Sequence, residues 1–245
     1  ESAFTVILLC AVVAVCVFIF VLGDPANFAN NDPVNGHPEN MLGTIYKGGF
    51  IVPVLQTLFL TVIVLSVERA IVLMKAMGKG KTAKFVAAIK AKLAANDIKG
   101  AQELCDKQQG CVANVVTSVL VKYEQMEKDT RLTKEQKLAV IQQEVEEATA
   151  LELPALNQNL PIIATLTTLG TLVGLLGTVM GMIKSFSALA SDGAADSVAL
   201  SAGISEALIN TAFGIATGAL AVISYNFFTS KIDNLTFAID EIGFS

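Results

Sequence analysis

Four stretches of the chain are apolar almost without interruption, at about 3–22, 49–74, 159–187 and 199–227. Each is close to or above the roughly 20 residues a helix needs to cross the hydrocarbon of a bilayer. One long polar block separates them, from Lys75 to Gln158. Inside it the pattern changes to helical periodicity: Phe85, Ile89 and Leu93, then Ile98, Ala101 and Leu104, then Val112, Val115, Val116 and Val119. "NDIKG" and "KQQGC" read as boundaries, so two or three short amphipathic helices pack together over 82–129. A longer helix is predicted from Thr133, because "TKEQ" sets Gln136 three residues after Thr133 as a capping box. Leu138, Ile141, Val145, Ala148 and Leu151 or Glu152 continue its inner face, with Glu144, Glu146 and Glu147 on the wetter sides. No glycine interrupts the run from there to the third span. The simplest reading is one rod entering that span, kinked at most by Pro154 and Pro161. The fold class is therefore all-α, a multi-pass membrane helical protein with long helices extending into a cytoplasmic helical domain.

Composition agrees. Of 245 residues, 53% are hydrophobic and 16% charged, with mean hydropathy +0.60, against about 45–50% and 25% in a soluble domain. The first span has a longer apolar run than the roughly 7–15 residues of a signal-peptide core and no small-residue cleavage site before Asp24; it reads as a retained helix. Lysine and arginine gather on the cytoplasmic side. Lys75, Lys79, Lys81, Lys84, Lys90, Lys92 and Lys99 follow the second span, whereas 23–48 holds only Lys47 and 187–198 no basic residue. The block 75–158 is thus expected in the cytoplasm, and an even number of spans puts both termini there.

Several chemistries fall away. A net charge of −5 speaks against nucleic-acid binding. Cys10 and Cys16 lie in the first span and Cys105 and Cys111 in the cytoplasmic block, at spacings that match no zinc pattern. "GKGKT" at 78–82 resembles the end of a phosphate-binding loop, but the required glycine five residues before Gly80 is Lys75. A basic flank on anionic headgroups is the plainer reading. His37, the only histidine, stands in the turn-rich "DPVNGHPEN" and reads as a surface residue. No enzyme motif, cofactor site or metal site is expected. The acidic cluster at 144–147 reads as a solvated face or a partner-docking one.

The last two spans carry the candidate chemistry. Gly170, Gly174, Gly177 and Gly181 recur at i, i+4, i+7 and i+11, a stripe on which helix backbones can approach closely. Thr167, Thr171 and Thr178 form a polar stripe beside it. Each threonine can bond its own helix four residues back, or the three can line a narrow wet path. On the final span Glu206, Asn210, Thr217 and Ser224 share a face, flanked by Gly203 and Gly214. From a start near Val198, Glu206 lies about 12 Å along the helix. A carboxylate at that depth faces a bundle interior or a hydrated path, as a proton carrier or as a hydrogen-bonded packing residue.

"GLLGTVMGMIKSF" at 174–186 and "GISEALINTAFG" at 203–214, with "YN" at 225–226, resemble the two signatures of the ExbB/TolQ/MotA proton-channel family, most closely its ExbB and TolQ branch. The resemblance covers roughly 130–230 well and the cytoplasmic block more loosely. It implies a homopentamer in the bacterial inner membrane whose last two helices enclose a pore. It also implies a single-span partner similar to ExbD or TolR with a transmembrane aspartate, and a TonB-like protein powered by proton flow. Thr178, Glu206 and Thr211 match family positions of the proton path; Thr167, Thr171, Asn210 and Thr217 are secondary pore or packing positions. An idealised helix sets Thr211 about 140° from Glu206, so the two cannot share one direction. The implied order is a transmembrane helix at 1–23, a periplasmic loop at 24–48, a transmembrane helix at 49–74, a cytoplasmic helical domain at 75–158, a pore-lining helix at 159–187, a periplasmic loop at 188–198, a pore-lining helix at 199–227 and a cytoplasmic tail at 228–245. Two features depart from the ExbB pattern. "GALA" at 218–221 puts Leu220 where the family has proline, and a fourth span resembles MotA.

Overall fold

The structure, a computed structural model, describes residues 2–34, 36–192 and 197–243. Among them it is all-helical, without strands, and four of its helical stretches are long and apolar enough to cross a membrane. The helices are α1 (Ser2–Val17), α2 (Met41–Tyr46), α3 (Ile51–Met77), α4 (Thr82–Ala94), α5 (Ile98–Gln108), α6 (Cys111–Lys128), α7 (Lys134–Asn157), α8 (Leu160–Asp192) and α9 (Ser197–Gly243). They form two compact units, Glu1–Ser66 with Asn159–Tyr225, and Val67–Gln158 with Asn226–Ser245.

In the first unit α1 continues as a π-helical turn, Phe18–Leu22, before Gly23. The segment that follows is held by its own polar groups. Asn27 donates to the carbonyls of Val21 (2.8 Å) and Leu22 (3.3 Å). Asn40 donates to Asn27 Oδ1 at 2.8 Å and caps α2 by accepting from the Gly43 N–H at 3.0 Å. Tyr46 stacks on Phe18 with centroids 4.7 Å apart and meets Phe28 edge-on at 5.5 Å. Lys47 donates to the carbonyls of Pro33 and Val34 at 2.9 and 3.0 Å. The chain leaves this braced segment through Gly48 and Gly49 and enters α3.

The second unit is built on α4 to α6, three short helices joined by tight turns. Asp97 caps α5 by accepting from the Gly100 N–H at 2.9 Å, and Gln109 ends it in the left-handed conformation at φ 58°. Phe85, Ile89, Ala101, Cys105, Val112, Val116 and Leu120 are buried with Ile232, Leu235 and Ile239 of α9. Buried Gln108 donates to the Met77 carbonyl at 2.8 Å, closing the end of α3. Thr133 and Gln136 make both bonds of the capping box that opens α7. On α7 Val145 and Ala148 are buried, whereas Leu138 and Leu151 are exposed. Of the pair Leu151 or Glu152, it is Glu152 that turns toward α6, accepting from Asn114 at 3.5 Å.

The expected single rod is broken. α7 ends at Asn157 and α8 begins at Leu160, with Asn159 at φ 67°, a conformation no right-handed helix includes and one that asparagine tolerates. Pro161 falls in the first turn of α8, where a missing N–H costs nothing. The carbonyls of Ala155 and Leu156, which would have been bonded within a continuous helix, accept instead from the buried Arg69 guanidinium at 2.7 and 3.2 Å. The segment 228–243, read as a tail, is a helical continuation of α9 with Phe228, Ile232 and Leu235 buried. Helix also occupies much of the expected loop 188–198, since α8 runs to Asp192 and α9 starts at Ser197; residues 193–196 lie outside the described residues.

Candidate functional site

The glycine stripe of α8 packs against α9. A Cβ on Gly174 would lie 2.9 Å from Gly214 Cα, and one on Gly181 would lie 2.9 Å from the Gly203 carbonyl oxygen. Nothing larger than hydrogen fits at these two crossings, so the two backbones touch. Ser185 continues the stripe by one further turn. It is wholly buried, and its hydroxyl donates to the Leu200 carbonyl at 3.2 Å.

This close crossing fixes where the polar side chains of α9 point. Glu206 is 8% exposed. One carboxylate oxygen is 3.4 Å from Lys184 Nζ on α8. The other lies against Gly49, 2.4 Å from where a Cβ on that residue would stand. One turn on, Asn210 is fully buried and donates to the Gly48 carbonyl at 2.9 Å, while its Oδ1 makes no hydrogen bond to the protein. Thr217 is fully buried too and donates to the Phe213 carbonyl at 2.9 Å. The Glu206, Asn210 and Thr217 face therefore looks into the chain's own packing.

Thr211 points elsewhere, as the helical geometry requires. Its hydroxyl is hydrogen-bonded to that of Thr178 across the α8–α9 crossing, and both hydroxyls reach the Ala207 carbonyl, at 3.0 Å from Thr211 and 3.3 Å from Thr178. Thr178 borders an open apolar groove of Val179, Met182, Ile183 and Phe186 along α8. Thr167, Thr171 and Thr178 each bond the carbonyl four residues back, at 3.4, 3.4 and 3.2 Å. Thr167 and Thr171 make no contact with the carboxyl. The structure thus gathers the candidates into two groups: Glu206 with Asn210 on one side of α9, and Thr178 with Thr211 on another.

Four participants carry no mark in the sequence reading. Lys184 sits inside the quoted "GMIKSF", and a lone lysine on an apolar span was signal enough to ask for its carboxylate. Gly48 and Gly49 are a glycine pair at the mouth of a span, and their role depends on packing against α9, 162 residues on for Gly48 and Asn210, that no local pattern contains. Arg69, with Glu68, falls within the second expected span. There its guanidinium is 1% exposed and Glu68 is its carboxylate partner, 2.6 Å from Nε. Elsewhere, Cys105 and Cys111 are buried free thiols, and burial pushes each up to about 11. His37 is exposed. Among the described residues no three His, Cys, Asp or Glu side chains are grouped to hold a metal.

A helical chain with four membrane-length apolar stretches, a close glycine crossing and a carboxyl buried beside it fits the class of polytopic membrane proteins. Residues 114–241 match the MotA/TolQ/ExbB proton channel family, and the chain belongs to that family. It is 39% identical over 88 residues to the biopolymer transport protein ExbB-like 3 of Synechocystis sp., covering 35% of this chain and 42% of that one. It is 41% identical over 80 residues to the Tol-Pal system protein TolQ of Pseudomonas aeruginosa, covering 33% and 35%. The biopolymer transport protein ExbB of Salmonella typhimurium is 32% identical over 81 residues, covering 33% of each. The chain thus spans less than half the length of each of these relatives, and they carry both ExbB and TolQ names.

Proposed function

We propose that this chain is an ExbB-like subunit of an inner-membrane complex that couples proton flow to work on a periplasm-spanning partner, energising TonB-dependent transport across the outer membrane. The supporting observation is Glu206, a nearly buried carboxyl within the family-matched segment, beside a helix crossing that carries the paired hydroxyls of Thr178 and Thr211. A carboxyl takes up and releases a proton, and a hydroxyl pair both donates and accepts. A proton crossing the membrane releases about 2.3 kcal/mol per 100 mV, which a rotating or rearranging assembly can use.

The assembly in this reading is a homopentamer in the bacterial inner membrane, both termini cytoplasmic, with 159–187 and 199–227 lining the pore. An ExbD-like single-span subunit brings a transmembrane aspartate into that pore, a TonB-like protein receives the work, and membrane lipid surrounds the whole. The test is Glu206→Ala in the native complex. Proton-coupled uptake is expected to vanish while the complex assembles at its normal size; full uptake by the variant would overturn the role of Glu206. The second reading is a TolQ-like or MotA-like stator for envelope maintenance or motility, favoured by the 41% identity to a TolQ. Native mass spectrometry of the complex from its own membrane separates the readings, because the companion subunit and its periplasmic domain differ among them.

A further inference from the structure

Among the described residues, Lys184 on α8 and Gly49 both meet Glu206 from outside α9, and Gly49 lies outside the family-matched residues 114–241. Gly49 has φ 87°, and a Cβ there would stand 2.4 Å from one Glu206 carboxylate oxygen and 3.2 Å from the carboxyl carbon. The three nearest heavy atoms to that position, the glycine and its chain neighbours apart, all belong to Glu206, the third being Cγ at 3.9 Å. The bare backbone is thus a seat shaped for this one carboxyl. Next to it the Gly48 carbonyl accepts from Asn210 one turn along α9, tying the same backbone to α9 a second time. The seat is held from behind. Gly48 and Gly49 donate to the carbonyls of Ile45 and Tyr46 at 3.0 and 3.3 Å. Tyr46 is clamped by Phe18 and Phe28, and Lys47 holds the Pro33 and Val34 carbonyls.

We propose that Gly49 is a positioning residue for Glu206: the glycine at the entry to α3, fixed by the braced segment 23–47, sets where the proton-carrying carboxyl stands between α8 and α9. The functional weight of this contact rests on the proton-path reading of Glu206, whereas the contact itself does not. The atom an added methyl would meet is the tip of a flexible side chain, so Gly49→Ala displaces the carboxyl and leaves the helix crossing in place. Backbone strain at positive φ is a separate effect. Gly80 supplies its control, with φ 84° and open space around its Cβ position.

The experiment uses the intact complex in its own membranes, treated with dicyclohexylcarbodiimide. Labelling at position 206 is read by peptide mass spectrometry against a Glu206→Gln background, and proton-coupled work is measured in parallel. Gly49→Ala is expected to raise labelling of Glu206 by about threefold or more and to cut coupled work about tenfold, with Gly80→Ala matching the wild type in both. Glu206→Asp, whose shorter side chain withdraws from the seat, should also raise labelling at 206. The double variant Gly49→Ala with Glu206→Asp should regain about threefold of the work lost by Gly49→Ala alone, since the added methyl fills the space of the lost methylene and the two effects are then non-additive. Unchanged labelling in Gly49→Ala, or an equal change in Gly80→Ala, overturns the proposal. So does additive loss in the double variant. If Gly49→Ala does not accumulate in the membrane, unchanged labelling in Glu206→Asp overturns it instead. A rise in labelling with full coupled work would overturn the functional weight of the seat, whereas the proton-path reading stands or falls separately on Glu206→Ala.

Discussion

Asp97 illustrates how much one exposed carboxylate does at a helix start. It accepts from the Gly100 N–H at 2.9 Å and from Lys92 at 3.3 Å. The Gly100 bond, then the Lys92 bond, holds its carboxyl below the ordinary 3.8. A carboxyl depressed in the folded state adds stability that is fully present above its unfolded pKa and is lost as the pH falls through its folded one. Asp97→Ala should therefore destabilise the protein at neutral pH. The gap from the wild type, measured by denaturant unfolding in detergent, should hold down to about pH 4 and close below it. A gap that widens on acidification would show that the charged cap is not the source. The intramembrane polar residues follow another logic. Thr178, Thr211 and Asn210 spend their hydrogen bonds on carbonyls and on each other, because the surrounding hydrocarbon offers no water to replace them.

At the scale of elements, the turn between α7 and α8 is the feature with the clearest physical cause. Arg69, 1% exposed, takes the two carbonyls that the break frees, and Asn159 supplies the left-handed residue. Arg69→Met keeps much of the aliphatic bulk and removes those donors, leaving Glu68 without its guanidinium partner. Loss of charged hydrogen bonds to buried carbonyls should cost about 2–4 kcal/mol, read as a lower unfolding midpoint. Asn159→Ile should cost about 1–2 kcal/mol more than Asn159→Gly; equal behaviour of the two would mean the positive φ is not needed. This break also marks a limit of sequence reading. The capping box at Thr133 and the glycine stripe of α8 were legible because each is local and periodic. The end of α7 was not, because a run without glycine looks helical throughout and its stop is set by an arginine 86 residues earlier in the chain. The same holds for the site. Glu206 declared itself by being a charge in an apolar span, whereas its seat on Gly49 is a tertiary contact. Leu220 stands where a proline kink was in question, and α9 runs through it unbroken.

For the whole molecule, the decisive feature is how much apolar surface this single chain leaves uncovered beside its polar pair. Leu172, Leu175, Leu176, Val179, Ile183 and Phe186 of α8 are all exposed, next to Thr178. Lipid tails are as apolar as leucine, so covering such a face with protein gains packing rather than hydrophobic transfer. Two uses of the polar residues then separate. In a scaffold, Thr178 and Glu206 hold helices and copies together, so Thr178→Val and Glu206→Gln alter the number of copies and leave proton-coupled work untouched. In a conducting subunit, assembly rests on the apolar face and the glycine crossing, and the polar groups serve the proton. A neutral hydrogen bond contributes only about 0.5–1.5 kcal/mol net, so in that reading its loss at Thr178 is too little to undo assembly through this apolar face. Native mass spectrometry and coupled transport, measured on the same preparations, should therefore give an unchanged copy number with work reduced in Thr178→Val and abolished in Glu206→Gln. A changed copy number with undiminished work would make the polar stripes glue, and the proton would need another path.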